Sequence, residues 1–377
     1  MSPVVTRIAS ARARLREGID TGTLLVWREA ADEISTDNIR IDIQDVQYVT
    51  SYDWMTDPGR RHSPKNGIVV PGRPPRWINP KLPLQVLPDG EDLNQIRDVN
   101  AEHNPRYPLL PIFIGASLLN KTIEWPEVDI ITDRNNLRKL RQWAGGQVED
   151  FRIDIEMVNG KTILMQRWEL SKGAKWKAHN AQYGRRFRAD TTEREILNDS
   201  KKEHQRVIQY DFGGINMVVR FQVEAYLPSR LTPRSVDPFN NNEIRQGALA
   251  EIHTTRDTEH DPPNLRWDDI YPQLFFSQIS HHLIGVHNGT GGFTKIIHQD
   301  LAAKNNNMDS IAQTQEDALK VVRALLGQLR EQLQWSPEYH KCALLCEDGV
   351  LKLGRRVSKD GLIPGDVMRE FKPLRYR

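Results

Sequence analysis

The chain has 377 residues, with 52 Lys and Arg against 50 Asp and Glu. It is long enough for one large domain or two ordinary ones and too balanced in charge to be basic throughout. Its 38% hydrophobic and 27% charged residues exclude wholesale disorder. A mean hydropathy of -0.60, with no apolar run near the roughly 18 residues that span a bilayer, argues against a membrane protein.

Met1–Arg16 lacks an apolar h-region and carries Arg7, Arg12, Arg14 and Arg16 with no acid before Glu17. That start reads either as a mitochondrial presequence or as the exposed start of a helix. Ile8–Ile34 predicts one or two helices, so residues 1–38 are expected to form an N-terminal helical extension. Ile39–Tyr52 is β-rich and opens the main domain, expected over 39–357, with 358–377 as a C-terminal tail. Pro58–Pro88 holds eight of the 22 prolines and predicts an extended surface loop.

Val128–Thr132 predicts a strand and Asn135–Trp143 a helix. Phe151–Val158 and Thr162–Trp168 predict a hairpin, because Asn159-Gly160 is a two-residue turn signal. Thr192 with Glu195 resembles a capping box, predicting a helix through Gln209. Ile215–Leu227 predicts one long strand and Ala248–Thr255 another. Leu274–Ser277, Leu283–His287 and Gly292–His298 predict further strands. Ile311–Leu333 predicts a helix from its apolar spacing. Lys341–Cys346 and Val350–Leu353 predict a second hairpin around Asp348-Gly349. The expected class is α+β (mixed α/β), a mixed sheet flanked by helices in a single large domain.

The two cysteines, Cys342 and Cys346, exclude a disulfide framework and point to a reducing, intracellular compartment, nuclear or cytoplasmic. Both fall on one face of a predicted strand, which favours burial over metal binding. His281, His282 and His287 are read as structural rather than as metal ligands. No P-loop, G-x-S-x-G, H-E-x-x-H or G-x-G-x-x-G motif is present.

Two windows contain no acid. Pro58–Pro88 carries Arg60, Arg61, Lys65, Arg73, Arg76 and Lys81 around Trp77. Leu170–Ala189 carries Lys172, Lys175, Lys177, Arg185, Arg186 and Arg188, with Trp176, Tyr183 and Phe187 between them. Cations contact phosphates and aromatic rings stack on unpaired bases, so the pattern suits single-stranded RNA or DNA. The competing reading is a solvated loop facing acids such as Asp257, Glu259, Asp261, Asp268 and Asp269.

Four stretches, in order, resemble the DXO-type decapping nucleases and their uncharacterised fungal relatives. They are Val128–Arg134, Tyr183–Arg188, Val219–Ala225 and Ala250–Thr255. Phe276-Ser277-Gln278 and Leu283–Phe293 resemble the family's W-x-x-Q and its closing strand. The resemblance implies a PD-(D/E)XK-like core with a cleft for an RNA 5′ end. It implies Mg2+ or Mn2+ as cofactor, held by acids, since phosphodiester hydrolysis needs divalent cations on hard oxygen ligands.

The family's Glu, Glu, Asp, Glu and Lys correspond here to Arg188, Gln222, Glu224, Glu251 and His253. One acid has become a cation, another an amide, the Asp a Glu and the Lys a His. The resemblance leaves Glu224 and Glu251 as catalytic and metal-binding candidates, with Gln222 and His253 beside them. Arg134 and Gln278 are its substrate-binding candidates, and Lys177, Arg185, Arg186 and Arg188 of the second acid-free window are added to them as phosphate contacts. A slipped register would instead place Asp190, Asp211 or Glu156 in the acid positions.

Three functions follow. The chain binds RNA 5′ ends with weakened or lost hydrolysis; or it is an active metal-dependent decapping hydrolase or 5′-to-3′ exonuclease; or it is a non-catalytic partner of an exonuclease. The substituted acids favour the first.

Overall fold

The computed structural model describes residues 11–39, 41–54, 67–90, 98–169, 182–194, 204–231, 243–257, 265–303 and 308–372. In chain order the strands are β1 (Leu25–Arg28), β2 (Ile43–Trp54), β3 (Ile68–Val69), β4 (Arg76–Trp77), β5 (Leu84–Gln85), β6 (Ile130–Asp133), β7 (Phe151–Val158), β8 (Thr162–Arg167), β9 (Thr192–Glu193), β10 (His204–Phe212), β11 (Asn216–Val223), β12 (Ala225–Tyr226), β13 (Leu249–Arg256), β14 (His281–His287), β15 (Gly292–Asp300), β16 (Lys341–Glu347) and β17 (Val350–Arg355). A helical stretch over residues 11–15, α1, comes first. It is followed by α2 (Val99–His103), α3 (Leu110–Leu118), α4 (Arg134–Ala144), α5 (Gly184–Thr191), α6 (Trp267–Ser277) and α7 (Met308–Trp335). Among the described residues no helix is long and apolar enough to cross a membrane.

The strands form two mixed sheets. The larger runs β1-β17-β16-β7-β8-β6-β11-β10-β2-β3 and the smaller β5-β15-β14-β13-β12-β4-β9. Both hairpin turns form as predicted. Asn159 and Gly160 have φ of 53° and 66°, and Asp348 and Gly349 of 53° and 78°, the left-handed pair that a two-residue turn requires. Cys342 and Cys346 are buried on β16. The long helix α7 buries Leu319, Val322, Leu325, Leu326, Leu329 and Leu333 in the main core.

Ile215–Leu227 is not one strand. β11 ends at Val223 in the larger sheet, and β12 restarts at Ala225 in the smaller one. Glu224 is the residue between them, so the junction of the two sheets positions its carboxylate.

Two further expectations are corrected between α5 and β14. Leu274–Ser277 belongs to α6, where Ile270, Leu274 and Ser277 are buried at helical spacing. The helix expected from Thr192 through Gln209 does not form: Thr192–Glu193 is β9, and β10 begins at His204. Glu195 lies outside the described residues. In β10, His204, Gln205 and Arg206 look solvent-facing in sequence but are buried. Arg206 lies over the Tyr48 ring at 4.5 Å, and its Nη1 donates to the Ile244 carbonyl at 2.8 Å. His204 Nδ1 pairs with Asp53 at 2.7 Å.

The N-terminal segment is not wholly helical, because β1 adds a strand to the larger sheet against β17. Within 358–377, Leu362, Ile363 and Phe371 bury themselves beside Phe113 and Trp125, so this stretch packs on the domain. Pro58–Pro88 contains β3, β4 and β5 rather than a continuous loop; residues 58–66 of it lie outside the described residues.

The helix α5 is seated by Gly285 on β14. A Cβ there would come within 2.6 Å of the Phe187 ring and 2.8 Å of Phe293, whose rings stack at 4.2 Å. Gly285→Ala is expected to cost about 1–2 kcal/mol through overpacking, read from urea unfolding midpoints. An unchanged midpoint would show that α5 is not held by this contact.

A cationic cleft between the two sheets

A cleft of about 910 Å³ opens where the sheets meet. Strand β6 runs parallel to β11 and passes straight into α4, so Arg134, Asn135 and Arg138 face the cleft from the first turns of that helix. α5 contributes Gly184, Arg185 and Arg188 from the opposite wall, and β13 contributes Ile252, His253 and Thr254. The lining carries eight Arg or Lys side chains and six Asp or Glu.

The two expected carboxylates are both occupied. Glu251 is 1% exposed and accepts from Arg134 Nη1. Glu224 accepts from Arg188 Nη1 on one oxygen and from the Ile252 N–H on the other, at 2.7 Å. Burial pushes Glu251 up to about 7, against the pull of Arg134. Burial also acts on Glu224, but Arg188, His253 and the Ile252 N–H outweigh it and hold that carboxyl below its usual range.

His253 Nδ1 lies 2.9 Å from His282 Nε2, and His282 Nδ1 lies 3.1 Å from Gln299 Oε1. Burial lowers His253, and burial with His253 alongside takes His282 down to about 3.

Of the sequence-stated candidates, Arg134, Arg185, Arg188, Gln222, Glu224 and His253 line the cleft, and Glu251 sits directly behind Arg134. Arg186 is not among the lining residues. Its backbone N–H, like that of Arg185, donates to Asp89, at 2.8 and 3.2 Å respectively, so Asp89 caps α5. Gln278 is also elsewhere: it ends α6 in a left-handed conformation with φ 52°, and its amide donates back to the Phe275 carbonyl at 2.7 Å. The glutamine that α6 presents to the cleft is Gln273, five residues earlier. Lys177 lies outside the described residues.

The aromatic residues of the basic windows are not stacking platforms. Trp77, Tyr183 and Phe187 are buried together in a core cluster; Trp176 lies outside the described residues. Of the acids proposed to neutralise those windows, Asp268 pairs with Arg141 and Asp269 with Arg266, and Glu259 and Asp261 lie outside the described residues. None of Asp190, Asp211 and Glu156 lines the cleft. Glu156 accepts from the Leu362 N–H and Asp211 from the Gly214 N–H.

Sequence reasoning missed Arg138. It lines the cleft, makes no hydrogen bond or ion pair among the described residues, and buries its Nε without a partner. Burial and the neighbouring Arg134 take it down to about 10. Its i, i+4 spacing from Arg134 is the signal that was available.

Residues 34–371 match a family model described as a domain of unknown function (DUF8563). The chain belongs to that family. No curated protein matches it. Solved structures with the same fold include S. pombe Rai1 in complex with 3'-FADP, at 11% identity and TM-score 0.60, over 89% of this chain and 100% of that one. Candida albicans Rai1 in complex with pU5-Mn2+ matches at 13% identity and TM-score 0.58, over 92% and 98%. K. lactis Dxo1 in complex with manganese matches at 10% identity and TM-score 0.53, over 88% and 95%. The expected α+β architecture is therefore shared with the group whose motifs the sequence resembles.

The donor set does not fit a divalent ion such as the manganese named in the C. albicans Rai1 and K. lactis Dxo1 structures. Among the described residues no three His, Cys, Asp or Glu side chains are grouped to hold a metal. Arg134 and Arg188 already take the two carboxylates that the resemblance would give to Mg2+ or Mn2+, and both cations would repel a third charge of their own sign.

Proposed function

We propose that the chain binds the 5′-phosphorylated end of single-stranded RNA in this cleft, with weakened or lost phosphodiester hydrolysis. Arg138 carries the reading. A guanidinium that faces a cleft with no ion pair or hydrogen bond of its own, only the longer-range pull of Asp269 and Glu251, is a poor structural element, since burying an incompletely compensated charge is costly. It is a good phosphate anchor, because a phosphate supplies the missing charge and the hydrogen-bond acceptors together. Arg134 and Arg188 stand on either side of the same space. The choice of RNA is supported by the uridine oligonucleotide named in the C. albicans Rai1 complex, whose fold the chain shares.

Filter binding of 5′-phosphorylated RNA across a salt series tests the proposal. Arg138→Leu is expected to weaken binding about tenfold and to reduce the salt slope by about one. The same substitution is expected to leave the unfolding midpoint unchanged or higher, since it removes a buried unpaired charge. Salt-independent affinity, or an Arg138→Leu variant that binds as wild type, would overturn the reading. So would robust Mn2+-dependent cleavage that Glu251→Ala abolishes, which would favour the active hydrolase.

A further inference from the structure

The three-residue chain behind the cleft fixes which nitrogen of His253 can do chemistry. The structure orients the Gln299 amide with Oε1 toward His282; in that orientation Oε1 accepts and His282 donates to it from Nδ1–H at 3.1 Å. Nε2 of His282 is then an acceptor, and His253 donates to it from Nδ1–H at 2.9 Å. That leaves Nε2 of His253 with a lone pair and no proton, on a residue that lines the cleft. The relay is held in place by its strands. His282 and Gln299 are register partners on β14 and β15, Trp267 packs edge-on against the His282 ring at 5.9 Å, and His282 is fully buried.

An acceptor is out of place among phosphate anchors. Arg134, Arg138 and Arg188 all face this space, and the phosphodiester oxygens of the chain carry no proton to donate to a nitrogen lone pair. Along a sugar–phosphate backbone the ring and ester oxygens are acceptors too. The one donor it carries beside each phosphate is the ribose 2′-hydroxyl, which DNA lacks.

We infer that His253 is a specificity-determining residue whose Nε2 accepts a hydrogen bond from a ribose 2′-hydroxyl, so that the cleft selects RNA over DNA. The inference rests on the reading of the cleft as a nucleic-acid site. His282 and Gln299 are positioning residues that hold the His253 tautomer.

Competition binding on the wild-type protein tests this with three 5′-phosphorylated oligomers of one sequence: RNA, DNA, and RNA carrying a single 2′-fluoro group walked from the 5′ end. Fluorine keeps the ribose pucker and removes the donor. DNA is expected to bind about fivefold more weakly than RNA, the scale of one hydrogen bond, with the same loss at one 2′-fluoro position. His253→Phe is expected to equalise RNA and DNA, and His253→Gln, which restores a carbonyl acceptor, to recover part of the preference. Gln299→Leu is expected to narrow the RNA-to-DNA ratio without changing DNA affinity, and nitrogen NMR should show His253 losing its single tautomer. Equal binding of RNA and DNA by the wild type, or 2′-fluoro RNA that binds as RNA at every position, would overturn the inference while leaving the phosphate site intact. No binding of any strand would overturn the underlying function as well.

Discussion

Asp133→Ala is expected to destabilise the protein by about 3–5 kcal/mol, the scale of breaking a buried ion pair from one side. Arg220 lies on the central strand β11 with a side chain of 0% exposure. Its guanidinium donates to both oxygens of Asp133, from Nε at 2.6 Å and from Nη2 at 3.0 Å. The remaining nitrogen, Nη1, reaches the Tyr52 hydroxyl at 3.1 Å and the Pro108 carbonyl at 2.6 Å. Removing the carboxylate leaves a fully buried cation whose remaining hydrogen-bond partners are neutral, with Asp98 acting on it only through space. Asp133 also ends β6 immediately before α4, so the loosened pair sits beneath Arg134 and Arg138. Urea unfolding gives the stability, and Asp133→Asn should lose less, because the amide keeps one acceptor. The double change Asp133→Ala with Arg220→Met should recover much of the loss, as removing both charges is far cheaper than stranding one. A single variant that unfolds at the wild-type midpoint would show that Arg220 finds another counter-charge.

The elements legible in the sequence were those with local signals. The two hairpins were fixed by Asn-Gly and Asp-Gly, and α7 by a stripe of leucines. β10 was misread because its polar residues are satisfied at long range: Asp53 lies 151 residues from His204 and Gln246 lies 40 from Arg206. Nothing nearby in the chain distinguishes such residues from a helix surface. α6 was misread because Leu274–Ser277 is a short apolar run, which fits either a strand or a helix face.

The candidate site divides in the same way. Glu224, Glu251, His253 and Arg188 could be found because the resemblance orders their segments. Their pairing could not, because each arginine reaches its acid across two elements, Arg134 from α4 to β13 and Arg188 from α5 to the β11–β12 junction. Tyr183 and Phe187 looked like base-stacking groups because alternation with cations suggests exposure. A short helix with one face against β13 and β14 gives the same alternation while burying the rings. The i, i+4 spacing could have placed Arg138 beside Arg134, but an arginine in an amphipathic helix carries no mark of being unpaired.

Glu251→Gln is expected to raise stability by an amount that grows with pH. The unfolded carboxyl titrates at its ordinary 4.5, whereas burial holds the folded one at about 7. Between those values the folded state binds more protons than the unfolded state, so stability from this group falls as pH rises through 4.5 to 7. Above that window the ionised carboxylate costs on the order of 3 kcal/mol relative to its protonated form. Glutamine mimics the protonated form at every pH and keeps a carbonyl for Arg134. The stability difference between variant and wild type should therefore be small near pH 4.5 and widen to about 3 kcal/mol by pH 8. If the Arg134 ion pair dominated instead, the folded carboxyl would titrate below 4.5 and the difference would run the other way. The same pair of proteins separates the two functional readings. A carboxylate that ligates Mn2+ would make the wild type, and not the Gln variant, gain thermal stability when Mn2+ is added. With Glu251 committed to Arg134, the ion should shift neither, and RNA affinity should rise in the variant as Arg134 exchanges a carboxylate for a phosphate.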